Sequence, residues 1–371
     1  MPQTAVRPLG LTLLVALTAG CKKPPPPPAV GPDAAPILPS PLGSRYALGM
    51  RVPADPIVAQ VVAQGMLPWV ESLSGAATAL ALGDAQLYSL SAARWAAVRA
   101  GYPHPIQHIV TGIEPPGALP TELVDALRPL MTIGDHVGLI RARTAQGDRW
   151  VALIARPQVG IDPFSREYAL GDHLEVTSRG LANWAVVSPT GDMTTGPLPV
   201  RVALNEPGEW LLEFNGSHGP REQLLSLPVY VATKTPVQPL FPSASDAPMP
   251  GPDAIQDDVL DTLDHVRAAF ALPDLDWDPT LATLAGTPVQ QVLDGTWDAT
   301  RGEQRLRGAG FIGGPIAQLT CTAPNVPACM EQLLSRAHDR AALLESGHRL
   351  VGAAGETRVS GVTLVINLSS E

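Results

Sequence analysis

The sequence predicts a multidomain α+β fold in which a β-sandwich stands between two modules that mix helices with strands. Three observations predict it. Proline-rich stretches at 21–50 and 234–252 punctuate the chain. Short alternating runs separated by turn residues fill 157–233. Helical periodicity governs the flanking segments, 54–155 and 253–371. At 371 residues the chain exceeds one ordinary domain.

The N-terminus carries an address. Arg7 precedes the apolar run Leu9 to Leu17, which is too short to span a bilayer as a permanent helix and reads as the core of a signal peptide over 1–20. Thr18-Ala19-Gly20-Cys21 follows. Small residues before a cysteine fit the narrow site of a lipoprotein signal peptidase, and the thiol would receive the lipid. The pattern resembles the bacterial lipobox, with Thr18 where leucine is usual, so Cys21 is the expected lipidation site and first residue of the mature chain. Lys22 and Lys23 come next, then prolines from Pro24 to Pro28 and again at Pro32, Pro36, Pro39 and Pro41. Such a run favours extended polyproline II and would act as a spacer. The expected location is therefore the cell envelope, membrane-anchored by lipid; Lys22 beside the anchor favours the outer membrane.

Composition narrows the partners. The formal net charge is −10 and no Lys/Arg cluster occurs beyond Lys22–Lys23, so the electrostatic footprint of a nucleic-acid binder is missing. Hydrophobic residues make up 45% of the chain but aromatics only 5%, so Leu, Val and Ala must fill the cores. Of three cysteines, Cys321 and Cys329 remain after lipidation; in an exported protein they are expected to pair.

Within 54–155, Ile57, Val61, Val62, Leu73, Leu80 and Leu87 recur at helical spacing. Ser91 reads as the cap of a helix running to Arg99, and Thr121 opens another. His136–Arg143 and Arg149–Ala155 form a hairpin around Gln146-Gly147-Asp148. Segment 157–233 alternates through His173–Thr177, Trp184–Val187, Val200–Leu204, Trp210–Phe214 and Leu224–Val231, the pattern of a sandwich. Its phrase Glu206-Pro207-Gly208-Glu209-Trp210 resembles a corner common in small Ig-like domains. Beyond the second linker, Ile255, Val259, Leu263, Val266 and Phe270 make one helical stripe. Met330, Leu333, Leu334, Ala337, Ala341 and Leu344 predict a single second helix from Pro327 to Leu344, capped by Asn325. Gly361–Leu368 is a terminal strand.

These last residues carry a family resemblance. Val259-Leu260, His265–Ala268, Leu272-Pro273 and Leu275-Asp276-Trp277-Asp278-Pro279-Thr280-Leu281 resemble the opening of bacterial CAP (SCP-like) domains. Arg305–Phe311 and the helix bearing Arg340, Leu343 and Leu344 are similar to later family segments. The resemblance covers about 255–370 and implies an α-β-α sandwich. Members usually hold two His and two Glu in a groove. Here Pro288 stands near where the first His is expected, Ile316-Ala317-Gln318-Leu319 stands where the family has its Glu motif, and Asp339 stands at the last His with His338 one residue earlier. His338 sits at the edge of its helix's apolar face, about 80° from Met330. The resemblance therefore implies an emptied groove without metal or cofactor, with His338 and Asp339, and His348 beside them, as the weak catalytic candidates of a rearranged hydrolase site. Val98-Arg99-Ala100-Gly101-Tyr102 resembles Arg307-Gly308-Ala309-Gly310-Phe311, which suggests a second, diverged module of the same kind over 54–155.

Other chemistry is thin. His104 and His108 have the spacing of a helical zinc pair, but Pro103 and Pro105 argue against a helix and place both in a loop. Asp257, Asp258, Asp261 and Asp264 line a solvated helix face. The expected function is a lipid-anchored envelope protein that binds a protein, glycan or lipid ligand, with a CAP-type hydrolase or a carrier of apolar ligands as alternatives.

Overall fold

A computed structural model of the chain describes residues 45–48, 53–82, 90–179, 183–216, 223–236, 240–241, 254–359 and 361–371. The signal peptide, Cys21, the first proline-rich spacer, Leu87 and most of the second linker lie outside them. Mixed α/β architecture is observed, and Ala35–Glu371 make one compact unit. Among the described residues no helix is long and apolar enough to cross a membrane.

The N-terminal module has three layers. Helix α1 (Pro56–Gly65) begins on Asp55, whose carboxylate accepts from the backbone N–H groups of Ile57 and Val58. Helices α2 (Glu71–Leu82) and α3 (Leu90–Ala100) follow, then the strand Ile106–Glu114, helix α4 (Thr121–Leu127), and the hairpin His136–Thr144/Gly147–Ala155. Gly147–Ala155 is the central strand of an antiparallel sheet flanked by the other two. Its alternate side chains serve opposite faces. Val151, Leu153 and Ala155 pack with α2 and α3, while Trp150, Ala152 and Ile154 pack with α1 and α4.

The C-terminal module repeats this plan. Helices α5 (Ile255–Ala269), α6 (Pro279–Leu293) and α7 (Ala299–Gly308) precede the strand Ile316–Ala323. Helices α8 (Val326–Leu334) and α9 (Ala337–Leu344) precede the hairpin Leu350–Arg358/Gly361–Ser369. The last strand is again central. α5 and α8 cover one face and α6 the other, giving an α-β-α sandwich. The correspondence extends to register. The first hairpin closes with Thr144 opposite Gly147, the second with Arg358 opposite Gly361. Trp69 bridges Val137 in parallel, as Trp277 pairs in parallel with Val351. Gly101 and Gly310 end α3 and α7 with left-handed backbones, φ 78° and 106°. One residue after each of those tryptophan partners stands a glycine that a helix touches. A Cβ on Gly138 would lie 2.4 Å from the Leu73 carbonyl oxygen, and one on Gly352 would lie 2.2 Å from the Ala282 nitrogen.

Between these modules, a five-stranded sheet runs in the order Met193–Gly196, Asn183–Val187, Gly208–Asn215, Gln223–Val231, Glu167–Tyr168. It faces the pair His173–Val176/Val200–Ala203, and Leu174, Val176, Val200 and Val202 meet Trp184, Val186, Leu212 and Phe214 in the core.

Three local expectations need correction. The helix expected from Pro327 to Leu344 is broken at Ser335–Arg336, where Arg336 is extended (φ −108°, ψ 126°). The break starts α9 afresh, and the Ala337 N–H donates at 2.7 Å to Glu213 of the sandwich, a partner far away in sequence. Ser91 lies within α3 rather than capping it, and its hydroxyl donates to Glu331 on α8. His108 belongs to a strand, next to an irregularity between Ile106 and His108.

Candidate functional site

The three modules leave between them a cleft of ≈1600 Å³. One wall is α3, presenting Ser91, Arg94, Trp95 and Val98; the facing wall is α8 with Ala328, Glu331 and Gln332. The floor is the outer face of the strand Gln223–Val231. Leu225, Leu227 and Val229 point into the sandwich core, so period-two alternation sends Leu224, Ser226, Pro228 and Tyr230 outward to line the cleft. Phe241, Phe270 and Pro324 close the C-terminal side. The lining is mostly apolar, with a few polar groups at defined places, the usual make-up of a binding site.

Those polar groups are tied to module docking. Arg340 is buried, stacks its guanidinium 4.9 Å from the centre of the Phe270 ring, and donates to both Oε1 and the backbone oxygen of Glu209 at 3.0 Å. Glu213, also buried, accepts from Ala337 N and from Gln223 Nε2 at 3.0 Å; burial holds its carboxyl above the usual range. It thereby places a carboxylate at the start of α9. Arg166 does the converse, reaching from the sandwich to the Val98 carbonyl near the end of α3. Glu331, half-buried and likewise raised by burial, accepts from Ser91 across the cleft.

A histidine cluster adjoins the N-terminal wall. His104 is buried and neither ring nitrogen has a hydrogen-bond partner; burial, then His136, lowers its pKa to about 4. The Tyr102 hydroxyl lies 3.0 Å from His136 Nδ1. Among the described residues no group of His, Cys, Asp and Glu could hold a metal ion.

The sequence-predicted residues fall elsewhere. His338 is exposed at the start of α9. Asp339 faces Arg336 at 3.4 Å, and burial raises its carboxyl. His348 is buried just before the second hairpin; burial lowers it to about 4, and the groups acting on it are Glu345, Arg267 and Pro315 rather than Asp339. Cys321 and Cys329 form a disulfide joining the strand Ile316–Ala323 to α8. Pro288 is buried inside α6.

At Gln318 the interior is neutral and closed. Trp297 Nε1 donates to Gln318 Oε1 at 3.1 Å, Gln318 Nε2 donates to Asn367 Oδ1 at 2.9 Å, and Asn367 Nδ2 donates to the Leu281 carbonyl at 2.8 Å. Gly302 sits so close that a Cβ would lie 2.2 Å from Gln318 Oε1. The amide and indole groups of this network supply neither a proton donor of suitable acidity nor a base.

Sequence reasoning missed Glu213 and Glu331 and gave Glu209 and Arg340 no docking role, because each acts on a partner more than a hundred residues away. The signal available was a charged residue inside an otherwise apolar run, as at Glu213 in the strand Gly208–Asn215.

No family description and no curated protein matches this chain. Solved structures similar to it include the following two. A cysteine-rich secretory protein from Staphylococcus aureus matches at 12% identity over 54% of this chain and 66% of its own length, with a TM-score of 0.29. An extracellular protein containing a SCP domain, from Bacillus anthracis, matches at 12% identity over 65% of this chain and 83% of its own, with a TM-score of 0.28. The match thus spans just under two thirds of the staphylococcal protein's length.

Proposed function

We propose that this chain is a lipid-anchored cell-envelope protein whose folded part binds a ligand rather than transforming one. Cys21 carries the lipid, an Ig-like sandwich stands in the middle, the C-terminal module is CAP-like, and the N-terminal module is a diverged copy of it. The ligand enters the cleft between the modules. One observation carries the reading: the Trp297–Gln318–Asn367–Leu281 network is internally satisfied and neutral within the segment Ile316–Leu319, where the resemblance would place a catalytic carboxylate. Binding surface is instead concentrated in the cleft. Its apolar lining also supports the second reading, carriage of a lipid or other apolar ligand.

The test has two parts. Intact mass of the full chain from a bacterial envelope is expected to include a diacylglyceryl group that Cys21→Ser removes. Hydrolysis of ester, peptide and glycan panels is expected to stay at background. A hydrolytic activity abolished by the pair His338→Ala and Asp339→Ala would overturn the non-catalytic reading.

A further inference from the structure

The floor of the cleft is also the edge of a sheet. Glu167–Tyr168 covers the strand Gln223–Val231 only at Tyr230 and Val231. Among the described residues no strand pairs with that edge from Gln223 to Val229. Backbone direction can be read along it. The Tyr230 N–H donates outward to the Arg166 carbonyl and the Ala232 N–H to the Tyr168 carbonyl, so even-numbered residues turn their backbone groups away from the neighbouring strand Gly208–Asn215. The same alternation aims the N–H and C=O groups of Ser226 at the open edge; beyond it the register shifts, with Phe214 opposite Leu225 and Asn215 opposite Gln223, so the alternation ends before Leu224. Pro228, the next position in that series, has no N–H to offer, and its carbonyl already accepts from the Tyr46 hydroxyl at 2.8 Å. The open edge is therefore short and bounded. Leu224 and Ser226 themselves line the cleft, with Trp95 of α3 and Glu331 of α8 on its walls.

We propose that the cleft takes an extended polypeptide segment, which pairs its backbone with the edge at Ser226 between α3 and α8. This rests on the reading that the cleft is the binding site. The outward donor and acceptor of Ser226 match the backbone of a peptide strand, whereas an acyl chain has nothing to pair with them. The apolar lining then receives alternate side chains of the bound segment, those at Leu90, Trp95 and Phe270 making the walls. A bound segment that reaches Ser226 satisfies the open edge; Pro228 bounds it on one side and the register shift on the other.

The experiment uses full-length lipidated protein in nanodiscs, screened with a display library of linear ten-residue peptides. A selected peptide is expected to slow amide hydrogen exchange at Ser226. Ser226→Pro removes the outward N–H and leaves the inward pairing intact, so it should weaken that peptide about tenfold more than Ser226→Ala, which keeps the N–H. Equal binding by both variants, or a bound peptide that leaves exchange at Ser226 unchanged, would overturn the proposal. A fluorescent sixteen-carbon fatty acid tests the other occupant. Saturable uptake that Trp95→Glu abolishes and Ser226→Pro leaves intact, with no peptide selected, would replace strand addition by carriage yet keep the cleft as the site. Failure of peptide and fatty acid alike would remove the cleft reading as well.

Discussion

Glu213→Ala should undock the sandwich from α9. The carboxylate accepts from Ala337 N at 2.7 Å and from Gln223 Nε2 at 3.0 Å, in a buried setting at the start of a helix. Truncation leaves the Ala337 N–H without an acceptor, which costs about 1–3 kcal/mol. Loss of a negative charge at a helix N-terminus adds roughly 0.3–1 kcal/mol. Relief of the carboxylate's own desolvation opposes both, as its raised pKa records, so the net loss is about 2 kcal/mol. Glu213→Gln keeps an oxygen for Ala337 and carries no charge to desolvate; it should cost under about 1 kcal/mol. Urea unfolding of the full chain followed by tryptophan fluorescence reads the difference as a shift in midpoint. The Ala variant should also become cleavable by protease at Ser335–Arg336, where the helices part. Equal stability of the two variants, or an Ala variant within about 0.5 kcal/mol of the parent, would refute the argument.

Further predictions follow from the same geometry. Gly138→Ala and Gly352→Ala should each lose at least about 2 kcal/mol by chemical denaturation, because the new Cβ meets helix backbone at 2.2–2.4 Å; Gly112→Ala, with nothing within 4 Å, is the matched control. Stability should fall as pH drops from about 6.5 to about 4. His104 and His348 both titrate near 4 when folded, so the unfolded chain takes up their protons first, at about 3 kcal/mol each; His104→Leu should flatten about half of that slope in pH-dependent melting. Replacing Cys321 and Cys329 by serine opens a loop of sequence separation 8 and should cost about 2.5 kcal/mol, seen as a lower Tm.

What the sequence made legible was local. The stripe Ile255, Val259, Leu263, Val266 is buried as helical spacing requires, and Cys321–Cys329 pair. The hairpin of the N-terminal module appears within two residues of its expected ends because its turn is written in adjacent residues. What stayed hidden was non-local. Nothing between Pro327 and Leu344 says that the helix breaks, since the acceptor that makes the break favourable is Glu213, 124 residues earlier. The cleft is hidden for the same reason: α3, the strand Gln223–Val231 and α8 are three distant segments, and only packing brings Ser91 to Glu331. His338 and Asp339 attracted attention through motif position alone. A helical spacing cannot report that α9 docks on the sandwich, where Ala337 joins Ala185, Val187 and Leu211 in one cluster. The repeat was faintly visible at Gly101 and Gly310. Its firmer marks, the paired tryptophans and the touched glycines, depend on register, which sequence periodicity does not specify.

The most direct test of the proposed binding cleft and non-catalytic role is native mass spectrometry of the full chain, purified under mild conditions and compared with the denatured sample. The account predicts a non-covalent mass excess in the parent and in the His338→Ala, Asp339→Ala variant, and its loss in Trp95→Glu. No excess in the parent, or an excess that survives Trp95→Glu and disappears with His338 and Asp339, would contradict it.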